Sequence, residues 1–489
     1  MERLGPIRRL HRDEQGYALV IAVLLIAIMM VLMVVSLEAG QSALRRSQEG
    51  VRWTKTLAIA EAGVNAAITT LGQDRRASSS CPVGAQTVCR VDAGEYQVSW
   101  RGQADGSIVV TSRGYYPSLT AARYTREVRV VLEPVPVFRY ALFSQDALTV
   151  KNNGVIVGDV YSALSVTLDQ NQQVCGSVIA AGGGITIGAN SRIRKAESTS
   201  GCSGKSGAVW ANGSITLGNG VIVEGDATAS APSGTTCSPT STSYQISGGT
   251  VQGNATACGR IAATVGGTAQ PGVNTTPPAV ESLPTFVFDI NNYPDLTCYP
   301  SSGTCGPSNT SSTAVSSFNA YVAGHRSSMR GTFAVWQTSP TQSTKVDLES
   351  IKLSGDLTVI TNAPVDFGNT TTITTAPGVS AATLIVISLY VPPVGTTCDT
   401  NGGECSIYSK NSVVFDDGVD SDPTDGVAGL LYTPGKMAVK NQGSAAEGAL
   451  YAGSMDIKNG FTIEYNGRID RVLGFGEAME PTLWQEIDV

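Results

Sequence analysis

From Tyr17 to Leu37 the chain runs through 21 residues without a charge. At a rise of ~1.5 Å per residue this block spans ~31 Å as a helix, the thickness of a bilayer's hydrocarbon core. Arg3, Arg8, Arg9, His11 and Arg12 precede it, followed by Asp13 and Glu14. The arginines predict a single-pass segment with its head in the cytoplasm and the bulk of the chain outside the cytoplasmic membrane. A removable secretory signal does not fit, because the block is too long and no small-x-small site follows it before Glu38. Beyond the block, Leu44, Val51, Leu57, Ala60, Val64, Ala67, Ile68 and Leu71 recur at steps of three, four and seven residues. Arg45, Arg46, Glu49, Arg52 and Lys55 lie off that line, and no proline occurs between Glu38 and Leu71. The helix is therefore expected to continue as an amphipathic one to residue 72, weakened locally by Gly40, Gly50 and Gly63.

The period then changes from helical to alternating. Residues 95–100, 107–113 and 123–132 read as strands of a small β-meander over 73–135, with Ala104-Asp105-Gly106 as a turn and Pro134-Val135-Pro136 as a boundary. From about residue 140 the sequence repeats itself. Leu148-Thr149-Val150-Lys151-Asn152-Asn153-Gly154 is echoed by Met437-Ala438-Val439-Lys440-Asn441-Gln442-Gly443 and again by Met455-Asp456-Ile457-Lys458-Asn459-Gly460. Gly429-Leu430-Leu431-Tyr432 returns as Gly448-Ala449-Leu450-Tyr451, and the run from Asn153 to Asp159 returns from Asn219 to Asp226. Short Val/Ile/Leu strands punctuated by Gly and Asn at about 18–20 residues predict a right-handed β-solenoid, the alternative being a β-sandwich with incidental glycine spacing. The fold class is thus mainly β: a transmembrane helix, a small meander and a solenoid with disulfide-bearing insertions. Residues 136–280 are its first part, 281–345 a Ser/Thr/Pro-rich insertion, and 346–489 its second part with a C-terminal cap at Glu480–Trp484. The Ser/Thr/Gly/Pro bias begins at 228, and 391–427 form a second excursion; both read as surface segments, where binding tends to sit.

Composition adds compartment and removes some chemistry. Only 15% of the 489 residues are charged, the net charge is −7, and no basic stripe follows the helix, which excludes nucleic acid as a partner. Ten cysteines all follow the apolar block and fall into successive pairs: Cys81/Cys89, Cys175/Cys202, Cys237/Cys258, Cys298/Cys305 and Cys398/Cys405. That pattern predicts local disulfides in an oxidising compartment. His11 and His325 are the only histidines and no C-x-x-C occurs, so a Cys/His zinc site is not expected. Asp416, Asp417, Asp420, Asp422 and Asp425 cluster in one loop and suit Ca²⁺, although the spacing is not that of an EF-hand and a solvated acidic loop serves equally; no other cofactor is expected. Gly201-Cys202-Ser203-Gly204-Lys205-Ser206 lacks the first glycine of a phosphate loop, since position 199 is Thr199. Asp159 and Asp226 hold equivalent repeat corners and could stack as a carboxylate pair, but corner Asp residues commonly cap backbone N–H groups. The chain is not expected to be an enzyme.

Gly16-Tyr17, with acidic residues just before it and the long apolar helix after it, resembles the class III signal of type IV pilins and type II secretion pseudopilins. Ala60-Glu61-Ala62-Gly63 resembles the A-E-A-G/A segment of PilX-type N-terminal modules, and the late repeat resembles the solenoid carried behind such modules. The resemblance implies that 1–16 is a leader removed between Gly16 and Tyr17 by a prepilin peptidase, that Tyr17 becomes the methylated first residue, and that 17–72 is a pilin-like helix. It further implies other pilin-like subunits, inner-membrane assembly machinery and membrane lipid as partners, with a surface glycan or host ligand for the outer part. Most pilins carry Glu at the fifth mature position; here it is Ile21, as in K-type minor pseudopilins at a filament tip. A neighbour's ammonium left bare in an apolar core is costly, which favours a tip or initiating position. The expected function is a minor subunit of a pilus-like or secretion filament, displayed on the pilus or cell surface for assembly or adhesion. A static membrane-anchored scaffold is the alternative, and a carbohydrate-active β-helix a third reading.

Overall fold

The structure is a computed structural model. It describes residues 11–73, 88–91, 94–102, 107–134, 137–195, 202, 205–293, 295–301, 305–368, 371–396, 398, 404–409, 413–415, 426–439, 444–469 and 479–487, with side chains described for all of these except 11–18, 102, 134, 413–415, 444–446 and 479–480. The protein is mainly β, with one long apolar N-terminal helix, a small antiparallel sheet and a parallel β-solenoid. The chain divides into two compact units, Met1–Val135 with Glu477–Val489, and Pro136–Gly476.

In the first unit a 63-residue helix, α1 (His11–Gln73), lies on a sheet of β1 (Val88–Val91), β2 (Gly94–Gly102), β3 (Ile108–Tyr116), β4 (Tyr124–Pro134) and the C-terminal strand Met479–Ile487. Ala60, Val64, Ala67 and Leu71 of α1 meet Ile108, Val110, Val128, Val130 and Leu132 in one core. These are one stripe of the helix and one face of the alternating strands, so the two periods read in the sequence interlock. Helix and sheet approach closely where both carry small residues: a Cβ on Gly114 would meet the backbone of Thr56 and, at 2.7 Å, the amide nitrogen of Ala60, and one on Gly63 would press into Ser112 and the Tyr96 ring. The tail does not cap a solenoid coil. It pairs antiparallel with β4, placing Trp484 beside Val130, because β4 offers an open edge of matching length.

The second unit is a stack of short strands whose ladder pairs are all parallel among the described residues. It is not built in sequence order. The chain enters the stack in the middle, at Leu142–Ser144, and adds coils in one direction: Leu142 pairs with Val160, Val160 with Val178, Val178 with Val209, Val209 with Ala227, Ala227 with Ala255 and Ala255 with Ala269. After Pro271 it returns along the flank and starts again at the opposite end with Leu296–Tyr299. It then grows back through Met329–Val335, Lys352–Thr361, Ala381–Ser388 and Gly426–Val439 to Ser444–Ile457. That last strand closes on the first coil, Leu450 against Leu142 and Met455 against Leu148. The echoes seen in the sequence are therefore stacked neighbours: Met437, Met455 and Leu148 stand in one column, as do Tyr432, Tyr451 and Phe143.

Inward Val, Ile and Leu residues fill a continuous core. Asn153, Asn171 and Asn190 turn one corner with φ of 61°, 58° and 59°, and Gly220 takes the same corner at 73°, the left-handed region that Asn and Gly tolerate best. Asn171 Nδ2 donates to Asn153 Oδ1 at 3.1 Å, tying successive turns. The stretches read as insertions belong partly to the stack. Within 281–345, Leu296–Tyr299 and Met329–Val335 are ladder strands and α2 (Ala314–His325) packs against the core. Within 391–427, Ile407–Ser409 and Val413–Phe415 pair into coils. Three of these strands have only three or four residues, too short to outweigh the Ser/Thr/Pro composition around them, and the same composition hid the seven-residue Met329–Val335.

Three glycines, Gly114 in β3 and Gly40 and Gly50 in α1, separate packing from exposure in one experiment. Gly114→Ala is expected to destabilise the first unit by about 1–3 kcal/mol through overpacking. Gly40→Ala and Gly50→Ala, where nothing lies within 4 Å, are expected to leave it unchanged or stabilise it. Thermal unfolding of the detergent-solubilised chain reads both; equal effects at the three positions would contradict the helix–sheet contact.

Candidate functional site

The helix α1 has two halves with opposite surroundings. Large apolar side chains from Leu19 to Leu37 are exposed, among them Leu19 at 68%, Met29 at 70% and Ile21 at 46%. From Thr56 onward the same helix is clamped to its own sheet, with Ala60, Val64 and Ala67 fully buried. The exposed half is long and apolar enough to cross a membrane, by length and composition. Gly16 and Tyr17 lie within the helix, their side chains outside the described residues. Of Ala60-Glu61-Ala62-Gly63, Ala60 and Gly63 are buried against the sheet while Glu61 and Ala62 are half-buried, so this segment is where the helix crosses its own sheet. Sequence reasoning missed the fastening that ends the clamp: Arg126 lies over the Trp53 ring at 4.3 Å, Trp53 meets Tyr124 edge-on at 5.3 Å, and Arg52 donates to the Tyr124 hydroxyl at 3.3 Å. Adjacent Arg and Trp on the helix were its only trace in the sequence.

The solenoid's polar groups are largely spent on its own backbone. Asp159 Oδ1 accepts from Ser177 N at 2.7 Å and Asp226 Oδ1 from Asn254 N at 2.7 Å, each in the next coil. They hold equivalent corners but do not pair, because the corners of Ser177 and Ala208 lie between them. Lys345 Nζ bonds Asp366 and, at 2.8 Å, the Tyr408 hydroxyl, and that hydroxyl donates to Asp366 at 2.9 Å. This cluster is internally satisfied. Nδ1 of His325 sits 2.9 Å from Tyr321 O, on the exposed side of α2. Disulfides join Cys175 to Cys202, Cys237 to Cys258, Cys298 to Cys305 and Cys398 to Cys405. Cys89 is also disulfide-bonded; Cys81 lies outside the described residues, as do Asp416, Asp417, Asp420, Asp422 and Asp425.

The most elaborate surface is the flank where the two arms of the stack meet. Tyr161, Phe143 and Tyr451 stack across the closure, with ring centroids 5.0 and 5.1 Å apart. The returning segment lies over them. Tyr161 OH donates to Ala279 O at 3.0 Å and accepts from Glu281 N at 2.6 Å; Tyr140 OH donates to Glu281 at 2.5 Å, and Arg139 pairs with the same carboxylate. Further along, Tyr432 OH donates to Pro284 O at 2.5 Å and Phe288 meets Trp336 edge-on at 5.2 Å. Tyr161 belongs to the first arm, Tyr432 and Trp336 to the second, so one strap fastens both. Burial pushes the phenols of Tyr140 and Tyr161 above their usual range, and that of Tyr432 to about 12.

No family model and no curated protein matches this sequence. The crystal structure of the competence-associated pilin ComZ from Thermus thermophilus aligns with 89% of this chain and 97% of that one at 12% identity, with a TM-score of 0.28. A score that low does not establish a shared fold.

The raised phenols give the strap a pH signature. Each stays neutral in the folded chain above pH ~10, where the unfolded chain ionises. Their contribution is complete below pH ~10 and is lost as pH rises toward about 12, the value for Tyr432. Tyr432→Phe is expected to cost about 1 kcal/mol at neutral pH and to flatten the fall in melting temperature above pH ~10. An unchanged alkaline slope would contradict the strap's role.

Proposed function

We propose that the chain is a minor, pilin-like subunit that is stored in the cytoplasmic membrane by its N-terminal helix and displays the solenoid outward. One observation carries this reading: the half of α1 from Leu19 to Leu37 is exposed and unpacked among the described residues, while the other half is packed on a sheet. A helix divided in this way is equipped to change its surroundings, from lipid to the helices of neighbouring subunits, without disturbing the folded part. The leader cut between Gly16 and Tyr17 and the partners named above belong to the same proposal. So does the tip or initiating position, which Ile21 supports: an apolar side chain at that point offers no carboxylate to a neighbouring amine. The solenoid would serve assembly or adhesion rather than catalysis, in keeping with corner carboxylates that cap backbone amides. Binding of Ca²⁺ by the acidic run 416–425 is a subsidiary proposal.

A static membrane anchor has the same exposed helix, and processing separates the two. Mass spectrometry of the protein from membranes is expected to give Tyr17 as the mature N-terminus, carrying one methyl group. Gly16→Ala is expected to block that cut. An intact Met1, or processing indifferent to Gly16→Ala, would leave the anchored scaffold as the reading.

A further inference from the structure

Lys345, Asp366 and Tyr408 stand in three successive coils of the second arm. Asp366 pairs in register with Tyr408, and Val346, the residue after Lys345, pairs with Val365. Four ion pairs among the described residues use a lysine. In three of them the carboxylate side chain is 30–33% exposed; that of Asp366 is 8% exposed. Each member of the cluster is held in place. Asn319 of α2 fixes the backbone at Lys345, its Nδ2 donating to Lys345 O at 2.9 Å. Asp366 Oδ1 accepts from Gly368 N at 2.8 Å. Asp366 Oδ2 meets Lys345 Nζ, and the Tyr408 hydroxyl bridges the two, accepting from Nζ at 2.8 Å and donating to Oδ2 at 2.9 Å. Tyr408 is buried and packs with Ala438 and the Cys398–Cys405 disulfide, which keeps water from that side of the cluster.

We propose that this cluster is a self-modification site, in which Lys345 Nζ and Asp366 Cγ join as an intramolecular amide with loss of one water. The Tyr408 hydroxyl relays the first proton, taking one from the ammonium as it gives its own to Oδ2. The neutral amine then attacks Cγ. Negative charge develops on Oδ1, where the Gly368 N–H already points. A second proton passes from the nitrogen to Oδ2 by the same relay, the Cγ–Oδ2 bond breaks, and Oδ2 leaves as water. Ammonium and carboxylate become amide and water, so no activator, oxidant or cofactor is consumed. Two effects favour the step: the fold holds amine and carboxyl in contact, and the product removes a charge pair from a largely buried place. The position gives the bond a use. In the first arm the disulfides Cys175–Cys202 and Cys237–Cys258 span 27 and 21 residues, about one coil, and tie successive coils together. In the second arm Cys298–Cys305 and Cys398–Cys405 each span only 7 residues and stay within a coil. Lys345 and Asp366 are 21 residues apart, so the amide supplies the second arm with a tie between coils. The inference stands apart from the filament reading, since it concerns chemistry inside the solenoid and not the helix.

Peptide mapping of the reduced, detergent-solubilised full chain tests the proposal. Trypsin is expected to leave the chain uncut after Lys345 and to release residues 331–352 joined to residues 353–410, lighter by one water than the two peptides together. This measurement on the wild type needs no variant to fold. Lys345→Arg is expected to abolish the link and restore cleavage after position 345. Tyr408→Phe keeps the ring and removes the relay, and is expected to slow linkage about 100-fold, read as the linked fraction against time after synthesis. Complete cleavage after Lys345, with every peptide at its full mass, would mean an ion pair only and would overturn the proposal. So would a loss of water that persists in Lys345→Arg. Linkage of Tyr408→Phe at the wild-type rate would overturn the relay.

Discussion

The parallel ladder sets the terms for the larger unit. A strand in such a stack needs a neighbour along each edge, and this chain begins its stack in the middle. Leu142–Ser144 has Val160–Ser162 on one side from the outset. Its other side stays open until Ser444–Ile457 has been made, about 300 residues later. Leu450 on Leu142, Met455 on Leu148 and the stacked rings of Tyr451, Phe143 and Tyr161 form that closure. Both arms, the strap across them and α2 all take their positions from it. A contact so distant in sequence is slow to form, and the first arm must remain soluble with an open edge in the meantime.

The smaller unit solves a different problem with the same economy. The helix could not be both a free apolar rod and a packed element along one stretch, so the two roles are divided along its length. The division falls near Arg52–Thr56, where the Trp53–Arg126 and Arg52–Tyr124 contacts begin the clamp. Below it, from Leu19 to Leu37, the exposed face is apolar enough for lipid. Above it small residues at 60, 63 and 114 let helix and sheet touch almost backbone to backbone. The C-terminal strand completes this sheet, so the chain returns to its first unit after building the second.

Much of this was legible in the sequence because periodicity is local. The 21-residue apolar block, the stripe from Ala60 to Leu71 and the Gly/Asn corners each report the environment of the residues that carry them. The similarity between residues 148–154, 437–443 and 455–460 recorded true neighbours, although nothing in it revealed the order of stacking. A repeat says which segments share an environment; it does not say that the last of them closes on the first. The strap was invisible for a related reason: Tyr140, Tyr161 and Tyr432 are ordinary strand residues until the segment 279–288 lies across them. The tail read as a solenoid cap because solenoid ends need one, but an open edge on β4 offered it a full strand's worth of hydrogen bonds.

The claim that holds the description together is the closure of the last coil on the first, and one engineered disulfide tests it most directly. Thr149 and Asp456 stand opposite one another in register across it. Thr149→Cys with Asp456→Cys should therefore form an intramolecular disulfide under mild oxidation, identified by peptide mapping of the non-reduced protein. In a solenoid stacked in sequence order the two positions would lie near opposite ends, and the link could not form within one molecule. Its absence, in a variant that retains the native melting temperature, would contradict the account.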